Sequence, residues 1–167
     1  MRRYGLIILL VPVISGAALY AVHLGKGISL FKPGPSHGGR VLEIKGAVSG
    51  RVYGKWPLEE AGEFAIEFIH SVNQSPVRES FAAEGGIIRP QAVRFSSFGA
   101  GMQSDLEEGM NLSRDGDAMI ITGFKTSFKE LNYIVGTVSD HLLYINGETV
   151  SLRDLCGKNA HIKVLLK

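Results

Sequence analysis

Period-two alternation of apolar and polar residues constrains this chain more than any other feature. In Phe64-Ala65-Ile66-Glu67-Phe68-Ile69-His70-Ser71-Val72 and again in Val77-Arg78-Glu79-Ser80-Phe81-Ala82-Ala83, every second side chain points to the same side of an extended backbone. Similar short runs, bounded by turn residues, predict strands at 40–48, 64–72, 77–84, 87–98, 117–124, 132–138, 141–146 and 160–166. Asn146-Gly147 is a hairpin signal because both positions tolerate positive φ. Ser139-Asp140 is read as the turn joining the two strands on either side of it. The 21 glycines in 167 residues, well above the usual ~7%, add turns and argue against a helical bundle. The fold class is therefore mainly β, a small antiparallel sandwich or barrel of about seven to nine strands. Two short helical turns are expected, one at Ser104–Glu107 from its capping-box pattern and one at Ser151–Gly157. The polar stretch Gln103–Asp117 reads as a solvated loop, long enough to serve as a lid.

The N-terminus obeys different rules. From Tyr4 to Gly25 there is no Lys, Arg, Asp or Glu, and Arg2 and Arg3 stand just before the run. About 20 apolar residues in a helix cross a ~30 Å hydrocarbon core. Residues 1–25 are thus read as one N-terminal transmembrane helix or signal anchor, with the rest of the chain exported across the inner membrane. Small residues at Ser15–Ala18 offer a signal-peptidase site, but the run continues to Leu24, which favours the uncleaved anchor. Residues 26–39, rich in Gly and Pro, form a linker, and 40–167 form the exported domain. An exported domain with Cys156 as its lone cysteine has no internal disulfide, and the thiol is read as buried and inert.

Charge narrows the partners. The chain has 18 basic and 16 acidic residues; without Arg2 and Arg3 the balance is 16 to 16. A neutral domain has no basic excess with which to hold phosphates, so nucleic acid is not an expected partner.

One place gathers chemistry-bearing residues. If Asn73-Gln74-Ser75-Pro76 turns the chain, Val72 faces Val77 and His70 faces Glu79, on the same face as Phe68 and Phe81. His70 and Glu79 would then be a partly buried cross-strand pair, either tying the hairpin together or forming part of a ligand site. Ser71 beside them and the Gly99-Ala100-Gly101 bend, which allows close backbone approach, complete the candidate binding residues His70, Ser71, Glu79, Gly99 and Gly101. No metal or cofactor is expected, since His70, Glu79 and His141 lack tight metal-ligand spacing. Catalysis is not expected either. Adjacent strand residues such as His70 and Ser71 point to opposite faces and cannot act as base and nucleophile.

His70-Ser71-Val72, Ser75-Pro76-Val77, Glu79 and Ser97-Phe98-Gly99-Ala100-Gly101-Met102, with the closing His141-Leu142-Leu143…Leu152…Leu155, resemble the bacterial domain of unknown function 1850 family. The resemblance runs from about Val41 to the C-terminus. It implies a small exported or membrane-anchored protein associated with tripartite ATP-independent periplasmic (TRAP) transporters, of the class whose solute receptors are called TAXI. The expected role is a non-catalytic accessory domain of solute uptake, contacting the transporter's membrane subunit or its solute receptor. The alternative is a small-ligand-binding domain that uses His70 and Glu79 independently of a transporter.

Overall fold

A computed structural model describes residues 21–23, 28–30, 40–58, 62–72, 74–96 and 106–167. The chain divides into two units, residues 1–38 and residues 39–167. In the first, β1 (Ala21–His23) pairs antiparallel with β2 (Ile28–Leu30). The expected transmembrane helix otherwise lies outside the described residues, but its last part is extended. Among the described residues no helix is long and apolar enough to cross a membrane.

The second unit runs β3 (Val41–Gly46), β4 (Val52–Pro57), β5 (Glu63–Ile69), β6 (Pro76–Glu84), β7 (Ile87–Phe95), β8 (Asn111–Asp115), β9 (Ala118–Thr122), β10 (Glu130–Ile134), β11 (His141–Ile145), β12 (Glu148–Ser151), α1 (Leu152–Cys156) and β13 (His161–Leu166). These 11 strands form two antiparallel sheets, a four-stranded one in the order β10-β13-β3-β4 and a seven-stranded one in the order β12-β11-β5-β6-β7-β9-β8. The fold is mainly β, as expected, with more strands than the alternation revealed. The additional strands are β4, β8 and β12. β8 is exposed at every residue, and β12 has no fully buried one, so neither carries a clear apolar face. β4 contains Gly54, whose absent side chain makes room for the Trp56 ring: a Cβ there would stand 2.3 Å from Trp56 Cη2. The loop expected over Gln103–Asp117 therefore contains a strand, while Ser104 and Asp105 of the expected capping box lie outside the described residues.

The two sheets share one core. Leu42, Ile44, Ile162 and Val164 of the smaller sheet pack with Phe64, Ile66, Phe81, Ile88, Leu143 and Ile145 of the larger. The β5–β6 hairpin keeps the predicted inner face, but its register differs. Phe68 faces Val77, Ile66 faces Glu79 and Phe64 faces Phe81, with the last two rings stacked at 5.2 Å. The chain turns earlier than expected. The His70 N–H donates to Ser75 O, the Gln74 N–H donates to His70 O, and Gln74 takes a left-handed φ of 49°. Pro76, read as a turn residue, instead opens β6 opposite Ile69, a strand end where its missing N–H is tolerated. His70 and Glu79 are therefore not cross-strand partners.

Ser139-Asp140 does not make a hairpin. β10 pairs with β13 and β11 pairs with β5 and β12, so the connection crosses between sheets. Val135, which an exposed hairpin would have left near solvent, is buried in the common core. The Asp140 carboxylate instead accepts from Ser151 Oγ at 2.5 Å and from the Arg153 N–H at 3.0 Å, bracing the start of α1. The expected helical turn at Ser151–Gly157 forms: Ser151 Oγ accepts from the Asp154 N–H at 3.0 Å and Gly157 ends it at φ 94°. Asn146 and Gly147 form the β11–β12 turn, with φ of 50° and 77°.

Candidate functional site

The two sheets have unequal widths, and the site follows from that. The larger sheet has three more strands than the smaller, and its β6, β7 and β9 carry apolar side chains outside the common core. There a second apolar group, Val77, Phe95, Met119 and Ile121, packs with Phe68, Val93, Met110 and Phe124. A cleft of about 750 Å³ lies between this surface, the β9–β10 connection and β10.

Glu79 lies at its heart. Paired residues form one row across the inner face: Leu143, Ile66, Glu79, Val93 and Ile121. A carboxylate thus occupies the middle of an otherwise apolar row. Its partner comes from the opposite sheet, where Tyr133 of β10 donates its hydroxyl to Glu79 Oε2 at 2.5 Å. Burial pushes the Glu79 carboxyl above its usual range, and the Tyr133 hydrogen bond opposes part of that rise. Burial, and then the adjacent carboxylate, raise the tyrosine strongly. Tyr133 is thereby kept as a neutral donor, and Glu79 Oε2 is its acceptor.

A bulge shapes the same region. Between β6 and β7 the register shifts after Ser80, leaving Gln91 as the extra residue beside Pro90. Proline inside a sheet is confined largely to edges and bulges, and Pro90 follows that rule while lining the cleft. His141 borders the cluster. Its ring stacks on Phe68 at 5.2 Å and meets Tyr133 edge-on at 6.1 Å. Its Nδ1 accepts the Gly136 N–H at 3.2 Å, which leaves Nε2 to carry the proton. Burial lowers its pKa, against the opposing charge of Asp140, so the ring is held neutral.

The predicted residues separate. His70 and Glu79 both line the cleft, from the hairpin turn and from β6 respectively, without being paired in register. Ser71 is exposed in the turn, where its carbonyl accepts from Gln74 Nε2 at 2.5 Å. Gly99 and Gly101 lie outside the described residues. Tyr133 was missed. It is separated from Glu79 by 54 residues and belongs to the other sheet, so only an unpaired carboxylate on an apolar face hinted that a donor was needed. Among the described residues, no three His, Cys, Asp or Glu side chains come together as a metal site.

These features define a two-sheet β domain with a cleft between sheets of unequal width and a half-buried acid–tyrosine pair inside it. Residues 64–152 match the family described as Domain of unknown function (DUF1850). That stretch is 89 of 167 residues, just over half, and the chain belongs to this family. It contains Glu79, Tyr133 and His141, the whole of the acid–tyrosine cluster. No curated protein and no solved structure matches the chain.

Proposed function

We propose that this chain is a non-catalytic, small-ligand-binding accessory domain of a solute-uptake system, working outside the cytoplasm and tethered to the inner membrane by the apolar run Tyr4–Gly25. One observation carries the binding part: a cleft of about 750 Å³ with a carboxyl group set among apolar side chains. Small-molecule sites commonly span ~300–1,000 Å³ and combine apolar walls with a few placed polar groups. A sandwich interior has no packing reason to retain Glu79, because burying a carboxyl costs free energy that an apolar residue would not. The resemblance to exported proteins associated with TRAP transporters supports the uptake role and makes the membrane subunit or the solute receptor the proposed partner.

The test is native mass spectrometry of the full chain, purified gently. A bound small molecule is expected in the parent and absent from Val93→Trp, which fills the cleft beside Glu79. An empty parent that Val93→Trp clearly destabilises would mean the cleft is ordinary sandwich packing, which has no room for the ring. For the uptake role, the transporter's membrane subunit or solute receptor should co-purify in mild detergent. Clean separation from both would leave the binding module without that context.

A further inference from the structure

We infer that the cleft takes an organic ammonium cation with an apolar body. The inference rests on the ligand-binding reading above and adds the ligand's charge. Among the described lining residues Glu79, Glu107 and Glu130 are acids, His70 is a titratable base, and there is no Lys or Arg. The three acids are not equivalent. Glu130 is engaged by Lys163 Nζ at 2.7 Å on the neighbouring strand, and Glu107 is exposed. Glu79 alone stands within the apolar row, and its described hydrogen-bond partner is the neutral hydroxyl of Tyr133. A carboxylate accepts several hydrogen bonds at once, so Tyr133 leaves it with capacity for a ligand N–H.

The walls fit the same ligand. Phe68, Phe81, Phe124, Phe128 and Tyr133 bring five aromatic rings to the cleft. Ring faces attract organic cations, most strongly where water is excluded. An anion would enter against carboxylates with no Lys or Arg in the described lining to offset its lost hydration. A bare metal ion would lack a ligand set, since no three candidate side chains converge among the described residues. The volume suits a molecule whose cationic head meets Glu79 and whose apolar part lies along Val93, Ile121 and the phenylalanines.

Three probes with one body and different heads test this: phenylbutylamine, phenylbutanol and phenylbutyrate, titrated calorimetrically into the full chain at neutral pH. The amine is expected to bind at least about tenfold more tightly than the alcohol, with the butyrate weakest. In Glu79→Gln the amine should fall to the level of the alcohol, whose own affinity stays put. Equal affinities for amine and alcohol, or a preference for butyrate, would overturn the charge assignment while alcohol binding still upheld the cleft as a ligand site. No binding of any probe would overturn both. The parent chain alone decides the preference, so the result stands even if Glu79→Gln fails to fold.

Discussion

At the scale of single residues, Glu79 makes stability depend on pH in a defined direction. Its folded-state pKa lies above the ordinary 4.5, so the folded chain holds this proton more tightly than the unfolded chain does. The associated stability is fully present below the ordinary value and is lost as pH rises through the raised one. Glu79→Gln removes that slope. Chemical denaturation across mildly acidic to neutral pH should show the variant gaining on the parent as pH rises; parallel curves would refute this. Cys156 gives a second residue-scale expectation. Burial raises its thiol to about 11, so little thiolate forms at neutral pH. Native Cys156 should react with iodoacetamide much more slowly than the unfolded chain does, by at least about tenfold.

Among the elements, the hairpin register and the helix cap are the informative cases. Alternation identified most of the side chains of β5 and β6 that face inward, since Phe64, Ile66, Val77, Phe81 and Ala83 are all buried, but Val72, placed on the same face, lies beyond the end of β5 and is exposed, and Ala65, placed on the opposite face, is buried. It could not choose between registers that differ by an even step, because such a slip keeps every side chain on its face. The choice fell to the turn, where Gln74 adopts a left-handed conformation that no local signal announced. A disulfide test separates the two. In a Cys156→Ser background, Glu67→Cys with Arg78→Cys should oxidise readily, since those residues face each other, whereas Glu67→Cys with Ala82→Cys should not. The cap at Ser151, by contrast, was readable locally, as was the Asn146-Gly147 turn. Ser151→Ala should cost about 1 kcal/mol, or roughly 3 °C in Tm. The same change also removes the hydroxyl that bonds Asp140.

For the whole molecule, long-range pairing was the part that sequence reading could not reach. Half of the site, Glu79 and His70, stood out locally, while Tyr133 joins Glu79 only because two sheets meet. The same architecture predicts uneven sensitivity to truncation. Ile66, fully buried under both sheets, should lose about 2–5 kcal/mol on change to Ala. Val93 sits in the same row but borders the cleft, so Val93→Ala should cost clearly less by denaturant unfolding.

Pro90 gives this uneven sandwich a guard. Ile88 exchanges backbone hydrogen bonds with Phe128, on the flank of β7 away from β6. Two residues on, Pro90 presents its backbone to that same flank, before β9 begins to pair at Ala92, and it has no N–H to offer there. A stray strand, from this chain or another, finds no continuous ladder to zip against. The doorway to the acid is held ajar by an imino acid that cannot complete the weave.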